Sequence, residues 1–163
     1  MVQVVLGLGS NLGDRESWLS KVRDEISNKL GEILVCSDLV ESPPWGFNSD
    51  NSFLNQVILI HSNQSASKLL EVIHEIESDL GRVRKGHYAD RMVDIDILFF
   101  GDLVLETENL SIPHPHIQDR LFVLKPLAQI LPEYKHPVIG ETVSQLLEKC
   151  KDNNICEFLS DRD

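Results

Sequence analysis

An α+β fold is the expectation for this 163-residue chain, and three observations predict it. Strand-like and helical periodicities follow one another in the order βαββαβ. Each of the two helical stretches closes on a glycine. The run Ile97-Leu98-Phe99-Phe100, almost wholly apolar, belongs inside a sheet rather than at its edge.

Taken in order, Val2 to Leu8 reads as a buried strand that runs into Gly7-Leu8-Gly9-Ser10-Asn11. Trp18, Leu19, Val22, Ile26 and Leu30 then recur at helical spacing, with Asn11 or Asp14 as the capping residue and Gly31 as the stop. Glu32 to Val40 reads as a second strand and Phe53 to Ile60 as a third. The segment between them, Ser42-Pro43-Pro44-Trp45-Gly46-Phe47-Asn48, is rich in turn formers. A second helix follows Ser65, a candidate N-cap, with Leu69, Ile73, Ile76 and Leu80 on one face and Gly81 at its end. Asp94 to Phe100 is the last strand of the series. Right-handed crossovers then give a ferredoxin-like antiparallel sheet with both helices on one face. Residues 101–163 remain to cover the other face. In them the pattern predicts a short hairpin near Gly101-Asp102, helical turns near His116–Leu131 and Thr142–Lys149, and a polar, frayed last dozen residues. No repeat or linker divides residues 1–163, so a single domain is expected.

Composition narrows the function. Apolar residues make up 42% and charged residues 25%, as in ordinary globular proteins. A net charge of -11 argues against nonspecific nucleic-acid binding. The basic residues Arg82, Arg84, Lys85 and Arg91 nevertheless gather within ten positions. Three cysteines (Cys36, Cys150, Cys156) without a CxxC pair suggest neither a disulfide framework nor a zinc site. No apolar run is long enough for a membrane span or a signal h-region, so a cytoplasmic protein is expected.

The chemistry concentrates around Asp94-Ile95-Asp96. On a strand the two carboxylates share one face, roughly 7 Å apart, and the isoleucines take the other. Two such groups repel unless a cation lies between them, and Mg²⁺ favours carboxylate oxygens beside water and phosphate. An exposed strand end with two solvated aspartates would read the same way. Arg82 and Arg84 fall on one side of an extended loop, and guanidinium forks match phosphate. Gly7 to Gly13 resembles a phosphate loop only loosely, lacking both the P-loop lysine and GxGxxG spacing; a tight strand-to-helix turn explains it as well. The prolines of Ser42–Phe47 hold backbone groups ready for a flat polar ligand. Asn55 shares a strand face with Phe53 and offers both donor and acceptor to a lactam edge. In Ser111-Ile112-Pro113-His114-Pro115-His116, His114 can reach phosphate together with Arg120, whereas His116 suits a structural role.

These segments in their order closely resemble the 6-hydroxymethyl-7,8-dihydropterin pyrophosphokinase family over roughly residues 2–132. The matching stretches include Gly9-Ser10-Asn11, Ser42-Pro43-Pro44-Trp45-Gly46, Phe53-Leu54-Asn55, Gly81-Arg82-Val83-Arg84-Lys85, Arg91 through Leu98, Pro113-His114 and Arg120-Leu121-Phe122. The resemblance implies transfer of pyrophosphate from ATP to the pterin hydroxymethyl group, with release of AMP. It implies two Mg²⁺ ions on Asp94 and Asp96, and charge stabilisation by Arg82 and Arg91. The pterin would meet Ser42, Pro43, Pro44, Trp45, Phe53, Asn55 and Phe122. The nucleotide would meet Leu70, Glu77, Arg84, Arg91, Ile97, Ser111, His114 and Arg120. A monomer acting on small molecules, with segments 43–51 and 82–90 as mobile loops, completes the expectation.

The chain also departs from the family pattern. Gly86-His87-Tyr88-Ala89-Asp90 replaces an Arg-Trp-Gly-Pro run, Asn109 stands in place of a basic residue, and Pro115 in place of a tyrosine. The rival readings are a two-metal phosphohydrolase and a noncatalytic ferredoxin-like module that binds RNA or a metabolite.

Overall fold

In the computed structural model, which describes residues 1–44, 50–81 and 93–161, the chain opens with β1 (Val2–Ser10), α1 (Arg15–Lys29), β2 (Glu32–Cys36) and β3 (Val40–Ser42). It continues with β4 (Phe53–Ser62), α2 (Ala66–Asp79) and β5 (Asp94–Phe100). A hairpin of β6 (Leu105–Glu106) and β7 (Ser111–Ile112) follows, then a 3-10 turn at Ile117–Asp119, α3 (Leu121–Ile130), α4 (Val143–Lys149) and β8 (Glu157–Phe158). β1 lies between β4 and β5 and is antiparallel to both; β4 pairs on its far side with β2 and β3. This is the ferredoxin-like order expected from the sequence.

Local chemistry explains where the helices begin and end. The Asp14 carboxylate accepts from the backbone N–H of Ser17 at 3.1 Å and caps α1. Ser65 does the same for α2, accepting from Lys68 N–H at 3.2 Å. Gly31 follows α1 because β4 passes directly over it: a Cβ there would sit 1.8 Å from the carbonyl oxygen of His61. Thr142 and Gln145 form a reciprocal capping box at the start of α4.

The sheet separates two apolar layers. Leu6, Ile58, Ile60, Ile95 and Ile97 face α1 and α2, where they meet Leu19, Ile26, Leu69, Ile73 and Ile76. Val5, Val57, Leu59 and Phe99 face the other way, onto Val123, Leu124 and Leu127 of α3 and Val143 and Leu146 of α4. The C-terminal third therefore covers the second face, as expected. A bulge in β5 adjusts this arrangement: Val5 pairs with Phe99 and Leu6 with Ile97, leaving Leu98 as the extra residue.

Four local expectations change. The strand read across Glu32–Val40 is two strands, because Ser37 interrupts the ladder; its hydroxyl, instead of a carbonyl, accepts from Val57 N–H at 3.0 Å. Gly101 turns the chain out of β5 at φ 52°, but the hairpin itself is β6–β7, closed by Thr107 and Leu110. β1 continues to Ser10, so Gly7 and Gly9 are strand residues and not a phosphate loop. The polar tail is not frayed throughout: β8 pairs with β3, and Leu159 N–H donates to Leu39 O at 3.0 Å. All three cysteines are free thiols. No helix among the described residues is long and apolar enough to cross a membrane.

Candidate active site

The side-chain parity that sends Ile95 and Ile97 towards the helices sends Asp94 and Asp96 to the opposite face. There they border a pocket roofed by the start of α3. Two rows across the sheet form its floor. One runs Asp94–Gly9–Asn55 and the other Asp96–Gly7–Val57. The middle strand contributes glycine to both rows, so a hollow lies between the carboxylates on one side and Asn55 and Val57 on the other. A Cβ on Gly9 would meet Asn55 Oδ1 at 3.5 Å, Phe53 at 3.6 Å and Asp94 Cβ at 4.0 Å. These side chains thus converge over the glycine.

The remaining walls come from distant segments. Ser42 and Pro43 stand at the end of β3, opposite Phe53 at the start of β4, and Arg120, Phe122 and Val123 descend from the start of α3. The pocket therefore gathers Ser42, Pro43, Phe53, Asn55, Asp94, Asp96, Arg120 and Phe122 from the residues singled out in the sequence. Pro44 lies beyond its lining. Val57, Leu98 and Val123 line it as well and were missed by the sequence reading, which took Gly7 and Gly9, also in the lining, for part of a loop or turn. Alternation of Gly7 and Gly9 along one strand face was the available signal, the same periodicity that links Asp94 with Asp96.

Asn55 is 5% exposed, and its amide is half committed. Nδ2 donates to Val40 O at 3.2 Å and to Ser42 Oγ at 2.8 Å, which uses both amide hydrogens. The sequence reading credited Asn55 with a donor and an acceptor for ligand. The geometry leaves the oxygen for that task and turns the nitrogen into a brace for the Ser42 wall. Arg120 is 8% exposed and lies with its guanidinium carbon 5.7 Å from the centre of the Phe122 ring. Its charge is permanent, so this wall presents a fixed cation beside an aromatic face.

His114 lies beside the pocket, outside its lining, and its backbone N–H donates to Leu98 O at 3.0 Å. Burial, then the charges of Arg120 and His116, push its imidazole down to about 4, against an opposing pull from Asp94. The ring is therefore neutral at pH 7. Nδ1 accepts the backbone N–H of His116 at 3.2 Å, which leaves the proton on Nε2 as a donor. His116 itself lies 3.4 Å from Asp119 and supports this turn, in keeping with a structural role.

The other proposed nucleotide residues lie around β5 and not in the pocket. Ile97 is buried in the helix-side core, with Leu70 packed against the same cluster. Glu77 is 2% exposed, and its carboxylate accepts Ile95 N–H at 3.0 Å. Ser111 begins β7, and Asn109 and Pro115 are exposed. Trp45, Arg82, Arg84 and Arg91 lie outside the described residues, as do 86–90 and most of the two segments expected to move.

Asp94 and Asp96 are partly exposed, and among the described residues no cluster of three or more His, Cys, Asp or Glu side chains surrounds them. Two hard oxygen donors open to a pocket fit an ion such as Mg²⁺, which keeps waters and takes phosphate oxygens as further ligands.

Fold and pocket together define a ferredoxin-like α+β fold with a pocket between an acidic strand end and an aromatic, cationic wall. The family model for 7,8-dihydro-6-hydroxymethylpterin-pyrophosphokinase (HPPK) matches residues 5–132. The chain belongs to that family. It is 40% identical over 141 residues to a 2-amino-4-hydroxy-6-hydroxymethyldihydropteridine pyrophosphokinase of Porphyromonas gingivalis, covering 84% of this chain and 95% of that one. It is 37% identical over 152 residues to a folic acid synthesis protein of Pneumocystis carinii, covering 93% of this chain but only 20% of that longer protein. In fold it matches a Plasmodium falciparum HPPK-DHPS crystal structure with a TM-score of 0.76 at 19% identity, covering 91% of this chain and 43% of that chain. The chain thus spans nearly the whole of the bacterial relative and less than half of the two eukaryotic proteins.

Proposed function

We infer that this chain is an ATP-dependent diphosphokinase that transfers pyrophosphate from ATP to the hydroxymethyl group of 6-hydroxymethyl-7,8-dihydropterin, a step of folate biosynthesis. Membership of the family carries this reading. The pocket supports it, because one hollow brings an acceptor amide, aromatic rings and two carboxylates within reach of a single small molecule.

The pterin occupies the floor over Gly7 and Gly9. Asn55 Oδ1 accepts an N–H from its heterocyclic edge, Ser42 and Pro43 border that edge, and Phe53 and Phe122 supply apolar faces. Pro44 and Trp45 also contribute to pterin binding. Asp94 and Asp96 would hold two Mg²⁺ ions, which would supply positive charge against the triphosphate. The hydroxymethyl oxygen attacks the β-phosphorus of ATP. The bond from that phosphorus to the oxygen bridging the α-phosphate breaks, the hydroxyl proton is released, and AMP departs with the electron pair. Arg120 and the Nε2–H of neutral His114 hold phosphate oxygens in line, while Arg82, Arg84 and Arg91 balance charge that develops on the leaving group. Leu70, Glu77, Ile97 and Ser111 surround the nucleotide.

The same reading makes the chain one catalytic domain over residues 1–163, working as a cytoplasmic monomer on small molecules. Purified protein with ATP, Mg²⁺ and the pterin should yield AMP and pterin diphosphate in equal amounts. ADP as product, or AMP formed without pterin, would refute the transfer.

A further inference from the structure

The family match ends at residue 132, yet the chain beyond it reaches back to both walls of the pocket. Arg120 occupies the N-cap position of α3 but makes no side-chain cap. A helix start leaves backbone N–H groups in need of acceptors, and a carboxylate is the most favourable one. Here the acceptor arrives from 31 residues downstream: Asp152 Oδ2 takes the N–H of Leu121 at 3.1 Å, between Arg120 and Phe122. The other oxygen of Asp152 accepts from Asn154 N–H at 3.0 Å and from its side-chain amide at 2.9 Å, which fixes the carboxylate. One turn further along α3, Lys125 donates to Cys156 O at 2.6 Å and lies 5.5 Å from the centre of the Phe158 ring. Phe158 then pairs with Val40, and Glu157 with Glu41, one residue before Ser42.

We propose that residues 152–159 form a strap that sets the distance between the two pocket walls, with Asp152 as a positioning residue for the pterin. One end of the strap holds the α3 start that carries Arg120 and Phe122. The other end holds β3, whose Ser42 is braced by Asn55. α4, by contrast, packs on the apolar layer that it shares with α3. The inference rests on the pterin reading of this pocket.

The test compares pterin binding to Asp152→Ala, Asp152→Asn and a chain ending at Lys151 with binding to the full-length protein. Titration of pterin fluorescence is done with Mg²⁺ and a nonhydrolysable ATP analogue present, at a temperature where circular dichroism shows every variant folded. Tyr134→Phe serves as the control for stability alone, since it removes a 2.7 Å hydrogen bond to Gly101 O away from the pocket. The expected result is a 5- to 20-fold weaker Kd for Asp152→Ala, a smaller loss for Asp152→Asn, and a loss at least as large on truncation. Tyr134→Phe should leave Kd unchanged while lowering Tm. Unchanged Kd in Asp152→Ala, or equal losses in Asp152→Ala and Tyr134→Phe, would overturn the strap. If the full-length protein itself binds no pterin, the functional reading fails first, and the two failures are thereby distinguished.

Discussion

Replacing Asn55 by alanine separates the two jobs its amide performs. The nitrogen makes two buried hydrogen bonds, to Val40 O and Ser42 Oγ. At about 1 kcal/mol net for each, their loss costs roughly 2 kcal/mol of stability. For a chain of this size that is a fall in Tm of about 4–8 °C. The oxygen, turned to the hollow over Gly9, is the part left for ligand. A pterin N–H deprived of its acceptor in a closed pocket loses about 1–3 kcal/mol, or roughly 5- to 150-fold in Kd. ATP should bind within about twofold of normal, because its phosphates meet other groups. Calorimetric titration of each substrate, paired with thermal unfolding, measures all three quantities. Equal losses for ATP and pterin would show that Asn55→Ala acts through general loosening. An unchanged pterin Kd with the expected fall in Tm would show that Oδ1 reads no ligand.

Asp96→Ala should nearly abolish formation of pterin diphosphate while leaving the circular dichroism spectrum intact; near-normal turnover would remove Asp96 from the metal and phosphate chemistry. His114, neutral when folded and ordinary when unfolded, takes up a proton at about pH 6.5 in the unfolded chain and about 4 in the folded one. Its contribution is complete above pH 6.5 and is lost as pH falls towards 4, by up to about 3 kcal/mol. Denaturant unfolding at pH 7 and 4.5 should therefore show a smaller drop in His114→Gln than in the parent, and equal drops would contradict the burial of this ring. Gly31→Ala places a Cβ against His61 O and must displace the end of β4, so a loss of about 3 kcal/mol or more is expected in urea unfolding; a variant as stable as the parent would disprove that contact.

Much of this molecule is written in local patterns. The βαββαβ order, the caps at Asp14 and Ser65, and the shared face of Asp94 and Asp96 follow from periods of 2.0 and 3.6 residues and from the chemistry of single side chains. Neighbours along the chain suffice to read them. Other features depend on which segments meet across the fold. Gly7 and Gly9 looked like a turn because nothing nearby in sequence shows that Asp94, Asn55 and Val57 flank them on adjoining strands. Asn55 looked like a complete donor–acceptor pair because Val40 and Ser42, 15 and 13 residues away, do not declare their claim on its nitrogen. The tail looked frayed because its polar residues find their acceptors and partners on α3 and β3, far upstream. Sequence alone thus determined the elements, their order and the acidic pair. Tertiary structure decided the hollow between the strands, the half of Asn55 left to face a ligand, and the strap across the pocket walls, because each is a hydrogen bond or a vacancy formed between segments that only folding brings together.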